Sequence, residues 1–178
     1  MVSQLRQDVL AVHEHTEAAV ALSTAQGFTQ WAAMGRSLRG WGLAMQGQGE
    51  EGMAQVRQGI AAYRATGAAL LVPYFCTILA DVSDHLGHPD DGLQALAEAH
   101  TLVEQHEERW WEAEVYRLRG VLLLQQTVTQ QVEAETCFQR ALDVARRQEP
   151  RMPVAAAGQA RRGLRPARTD LWLVYRGL

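Results

Sequence analysis

The amino-acid sequence predicts an all-α protein, an α-solenoid of antiparallel helix pairs with a repeat of about 40 residues. Three observations lead there. The 178 residues include 27 Ala, 21 Leu and 17 Gln, all strong helix formers, against five Pro. The chain carries none of the β-branched and aromatic runs that strands favour. Short segments also recur at a fixed spacing. Gly49-Glu50-Glu51-Gly52 returns as Pro89-Asp90-Asp91-Gly92. Ser37-Leu38-Arg39-Gly40 returns two periods later as Arg117-Leu118-Arg119-Gly120, with Thr77-Ile78-Leu79-Ala80 in the slot between. Trp31, Leu71 and Trp111 hold a third equivalent position. Ala19-Val20, Gly59-Ile60 and Ala99-His100 hold a fourth, which Ala141-Leu142 follows 42 residues on.

The elements follow from the punctuation. Helices are expected at about 3–26, 28–46, 50–66, 69–86, 90–106, 108–126 and 131–148. Gly27 closes the first and the Gly47/Gly49 pair the second. The third opens on acidic Glu50 and Glu51, which suit the unpaired N–H groups of a first turn, and it carries Met53, Val56, Ile60 and Tyr63 at helical spacing before Gly67. Gly87-His88-Pro89-Asp90 ends the fourth helix and starts the fifth, whose stripe is Leu93, Leu96, Ala99 and Val103. Glu107, Glu108, Glu112 and Glu114 gather at the start of the sixth, where helix-start stabilisation explains them better than a catalytic carboxylate pair does. Cys137, Ala141 and Val144 or Ala145 mark the seventh.

Small residues recur where paired helices must approach closely: Gly40, Ala80 and Gly120 in the first helix of each unit; Gly52, Gly92 and Ala134 opening the second; Gly59, Ala99 and Ala141 further along it. A glycine inside a helix costs about 0.5–1 kcal/mol relative to alanine, so close packing is the expected reason for keeping it.

Ala134-x3-Phe138-x2-Ala141-Leu142, preceded by Tyr116-x2-Arg119-Gly120-x2-Leu123, resembles the tetratricopeptide repeat, Trp-x2-Leu-Gly-x2-Tyr followed by Ala-x3-Phe. Tyr116, Arg119 and Leu123 depart from the pattern, and the unit exceeds the usual length. Leu38-Arg39-Gly40-Trp41 to Gly52, and the run from Glu108 through Arg109-Trp110-Trp111-Glu112-Ala113-Glu114 to Gly120, resemble the C-terminal tetratricopeptide region of large bacterial adenylate/guanylate cyclase-type and ATPase-containing transcriptional regulators. The resemblance covers about residues 5–149. It implies a non-catalytic scaffold in a bacterial signalling or transcription-regulatory system, contacting a protein or peptide partner or other domains of a parent regulator. The opening helix has no first-helix partner in the sequence, so a repeat fragment beginning mid-unit is expected.

Composition narrows the chemistry. All 17 basic residues are Arg; with no Lys there is neither a Schiff-base lysine nor a phosphate-loop lysine, and with no Asn no N-glycosylation acceptor. Cys76 and Cys137 sit in apolar helical patterns, so neither a disulfide framework nor a zinc site is indicated, and a reduced, cytoplasmic setting is expected. The longest apolar stretch, Ala68 to Phe75, is far short of the roughly 20 residues of a membrane span. His13 and Glu17 have a ligand-like spacing, but His15 points elsewhere and Gly87 separates His85 from His88, so ordinary surface or capping roles are expected and no metal or other cofactor. Trp110 and Trp111 read as packing residues between repeats.

The first helix of each pair should line the inner, partner-binding surface of the array. Counting from Gly40, Ala80 and Gly120, the side chains facing it include Trp41 and Met45; Tyr74, Thr77, Asp81, Asp84 and His85; and Glu114 and Arg117. An aromatic and methionine-rich end followed by an acidic middle suits a peptide with an apolar anchor and a basic residue. The repeat pattern fails after residue 149. The net charge of −3 resolves into −8 for residues 1–150 and +5 for residues 151–178. Two regions are therefore expected, a helical array over 1–149 and a basic tail over 150–178. Arg161, Arg162, Arg165 and Arg168 of the tail provide the alternative function, nucleic-acid binding, which the absence of interleaved aromatics among them disfavours.

Overall fold

The computed structural model describes residue 4 and residues 8–106, 109–126 and 130–148. The described residues form seven α-helices and no strand: α1 (Val9–Ala25), α2 (Thr29–Met45), α3 (Gly49–Ala65), α4 (Val72–Leu86), α5 (Pro89–His106), α6 (Glu112–Gln126) and α7 (Gln131–Gln148), with a 3-10 turn, Arg109–Trp111, leading into α6. Successive helices pack antiparallel, and α4 also touches α2 and α6 directly. None of these helices is long and apolar enough to cross a membrane.

Glycine punctuation decides most helix ends. Gly27, Gly47, Gly67 and Gly87, each 20 residues after the last, all have positive φ. At Gly87 (φ 72°) the N–H donates back to Asp84 and the following His88 N–H to Ser83, which satisfies carbonyls left open at the end of α4. Three starts differ from expectation, and the last of them, α6, begins at Glu112 rather than near 108, after the 3-10 turn Arg109–Trp111. α1 begins at Val9 rather than near residue 3, because the Asp8 carboxylate accepts from the Ala11 N–H and caps the helix there. α4 begins at Val72 rather than 69, placing Pro73 in the first turn, where its missing N–H costs nothing.

One buried cluster runs from Val12 in α1 to Leu122 in α6, and a second, of Leu123, Ala134 and Cys137, joins α6 to α7. Tyr63, Phe75, Tyr74 and Trp111 form a chain of ring contacts 4.4–5.5 Å between centroids, linking α3, α4 and the start of α6. The small residues act as expected most fully between α2 and α3. A Cβ on Gly40 would lie 2.6 Å from the Gly52 carbonyl oxygen, and one on Gly52 would lie 2.6 Å from the Ala44 nitrogen, so these two backbones touch. In later pairs side chains take up the room: Leu122 and Ser83 crowd Gly92, and the Phe138 ring covers Gly120. α7 buries Ala134, Cys137, Ala141 and Val144 and turns Glu135, Gln139, Asp143 and Arg146 to solvent.

Candidate functional site: the face shared by α2, α4 and α6

At 3.6 residues per turn, Tyr74, Asp81 and His85 fall on the side of α4 opposite Cys76 and Leu79. Cys76 and Leu79 floor a cleft of about 230 Å³ between α3 and α5. Tyr74, Asp81 and His85 therefore face away from that cleft, on the side where α4 is flanked by α2 and α6.

On this face the repeat spacing becomes a hydrogen bond. Trp41 Nε1 donates to Asp81 Oδ2 at 2.7 Å, joining equivalent positions of consecutive units, and Trp41 is 1% exposed. From α6, Arg117 donates through Nε and Nη2 to the two carboxylate oxygens of Glu114 at 2.8 and 2.6 Å, a bidentate pair. Gln125 Nε2 reaches back to Asp84, donating to its carbonyl oxygen at 3.3 Å and to its carboxylate. Three carboxylates, Asp81, Asp84 and Glu114, thus gather around one guanidinium.

Burial sets the titration of this group. It raises Asp81 above the usual carboxylate range, although the Trp41 hydrogen bond and the Arg117 charge pull the other way. Burial likewise raises Asp84 against the attraction of Arg117 and His85. Burial works against the Arg117 charge, yet Glu114, Asp81 and Asp84 outweigh it and hold the guanidinium more firmly protonated than an ordinary arginine. Burial, with help from Asp81, pushes the Tyr74 hydroxyl well above its usual value, so it stays a neutral donor.

Of the residues expected on this surface, Trp41, Tyr74 and Thr77 are buried in contacts with their neighbours, while Met45, Asp81, Asp84, Glu114 and Arg117 are half-buried and His85 is exposed. Thr77 Oγ1 donates to the Tyr74 carbonyl at 2.7 Å. Tyr74 stacks on Trp111 at 4.4 Å and donates its hydroxyl to Gln4 Oε1 at 2.9 Å. No signal in the sequence points to Gln4, whose contact spans 70 positions. The tryptophan pair divides: Trp111 packs on the core as expected, but Trp110 is 65% exposed, a correction to its packing role. Trp31, in the slot equivalent to Trp111, is 61% exposed.

Elsewhere the structure offers open or closed clefts. The cleft between α3 and α5 is spanned by ion pairs, Arg57 with Asp91 at 2.9 Å and Arg64 with Glu98. Another, of about 520 Å³, is lined by Glu112, Tyr116, Arg140 and Asp143 among others, with the Arg140 guanidinium 5.7 Å from the Tyr116 ring centre. Among the described residues no three His, Cys, Asp or Glu side chains group as metal ligands would. Arg161, Arg162, Arg165 and Arg168 lie outside the described residues. Compared with protein-family models, curated proteins and solved structures, the chain matches none.

Proposed function

We propose that the chain is a non-catalytic scaffold, a tetratricopeptide-like α-solenoid, that binds a protein or peptide partner across the face shared by α2, α4 and α6. It would serve a bacterial signalling or transcription-regulatory system as part of a larger regulator. The observation that carries this reading is the half-buried set of Asp81, Asp84 and Glu114 around the single Arg117, at repeat-equivalent and neighbouring positions of one continuous face. Among the described residues the three carboxylates outnumber the Arg117 guanidinium and the neighbouring His85, an acidic balance in a partly desolvated setting, where a partner's arginine or lysine gains more than it would at an open surface. Half-buried Met45 beside fully buried Trp41 supplies the apolar neighbour such a contact needs. The equal spacing of the four helix-closing glycines and the direct touching of α2, α4 and α6 support the solenoid reading.

The test is fluorescence anisotropy of the full chain with labelled peptides that place arginine next to a large apolar residue, set against peptides with glutamate in place of arginine. The arginine set should bind and the glutamate set should not. Asp84→Asn combined with Glu114→Gln should weaken binding about tenfold or more while far-ultraviolet circular dichroism stays unchanged. Binding that ignores both changes would remove this face from the account.

A further inference from the structure

We propose that the chain pairs with a second copy of itself, about a two-fold axis, through the apolar surface that Leu22, Phe28 and Trp31 form at the α1–α2 turn. These side chains are 63%, 56% and 61% exposed. Their counterparts one and two repeats further on are covered. Ala62 and Leu102 stand in the place of Leu22, Ala68 in that of Phe28, and Leu71 and Trp111 in that of Trp31, and all five are partly buried against the main core cluster. α1 is also inverted relative to α3 and α5. It buries Thr16 and Ser23 where α3 buries Val56 and Tyr63 and α5 buries Leu96 and Val103. The Thr16 hydroxyl is satisfied by the Val12 carbonyl at 2.7 Å, and the larger apolar Leu22 is turned outward. A cluster of exposed large apolar side chains of this kind marks an association surface.

Two observations select a second copy over an unlike partner. Residues 18–35, which hold all three side chains, are the longest stretch of the sequence without Asp, Glu, Arg or His. Near a two-fold axis every charge meets its own like in the other copy, so an uncharged surface is the one that symmetry tolerates best. The turn also carries both halves of a contact already present inside the chain. There Tyr74, the third residue of α4, stacks on Trp111 at 4.4 Å. Trp31 is the third residue of α2 and occupies the slot equivalent to Trp111. In a symmetric pair each copy therefore offers the slot and the aromatic first turn that fills the other's slot. This surface is independent of the partner face, since Trp31 lies in the first turn of α2 whereas Trp41 and Met45 lie near its end.

Sedimentation equilibrium of the full chain over a concentration series tests the pairing, with Trp31→Glu and the double variant Leu22→Gln/Phe28→Ser alongside. The wild type should pass from monomer to dimer mass and stop there, because a two-fold contact closes on itself. Each variant should raise the dimer dissociation constant about tenfold or more while far-ultraviolet circular dichroism stays unchanged. More than half of each substituted side chain is exposed in the single copy, so the fold does not rest on them. A monomer mass at every concentration up to about 0.5 mM, a dimer indifferent to both variants, or masses that climb beyond the dimer would overturn the proposal. The arginine-peptide titration reads the other face, so each surface stands or falls by its own measurement.

Discussion

Two glycines two residues apart in α2, and so on nearly opposite faces of the helix, have opposite consequences. A side chain at Gly40 meets the backbone of α3, with Gly52 O and Val56 N at 2.6 and 2.7 Å, and helix backbones cannot give way locally. At Gly42 the nearest neighbour is Val12 Cγ1 at 3.5 Å, an ordinary contact. Gly40→Ala should therefore destabilise by about 1–3 kcal/mol through overpacking, whereas Gly42→Ala should stabilise by about 0.5–1 kcal/mol through helix propensity. Urea unfolding of the two variants measures this, and effects of the same sign would refute the close approach of α2 and α3. Asp81 yields a second residue-level expectation. Its folded-state pKa is raised, so the native state holds its proton to higher pH than the unfolded chain. The linked contribution to stability is then present at low pH and declines as pH rises from the ordinary carboxylate value towards the raised one. Asp81→Asn keeps an oxygen acceptor for Trp41 Nε1 and removes the titration. Subtracting the variant's stability from that of the wild type across pH 3.5 to 7 should leave a difference that falls with pH, and a flat or rising difference would mean that burial does not govern Asp81.

The helices differ in how firmly they are held. α4 packs against α2, α3, α5 and α6, and its Cys76 is 1% exposed, the thiol pushed by burial up to about 12. α7 packs on α6, and its Cys137 is 5% exposed, its thiol also raised by burial. Arrays of stacked pairs open from their ends, where an element has neighbours on one side only. Pulsed thiol labelling in rising urea should modify Cys137 at a lower concentration than Cys76, and coincident midpoints would show one cooperative unit. At this scale the sequence was most legible. Glycines that can take positive φ announced the ends of α1, α2, α3 and α4, and acidic first turns announced the starts of α3 and α5. The later start of the first predicted helix was hidden, because the sequence around Asp8 has adequate helix propensity and the Asp8 side chain, through its bond to Ala11, sets the boundary. Pro73 suits a first turn, but the apolar run Ala68 to Phe75 around it carries no cap that marks where the helix begins.

Across the whole molecule, the repeat spacing brought Trp41 and Asp81 onto one face and into contact, and counting from Gly40, Ala80 and Gly120 also gathered Asp84, Glu114 and Arg117 there. Exposure was not legible in the same way. Whether Tyr74 or Thr77 faces solvent depends on what neighbouring units lay over it, and Gln4 reaches Tyr74 by a contact with no local pattern. The central claim is that α2, α4 and α6 present one continuous partner surface. Its most direct test is an NMR titration of the isotope-labelled full chain with an arginine-containing peptide. Shifts should concentrate at Met45, Asp84, His85, Glu114 and Gln125, with those along the opposite cleft, Arg57, Arg64, Asp91 and Glu98, left unmoved. Shifts concentrated in the cleft between α3 and α5 would contradict it.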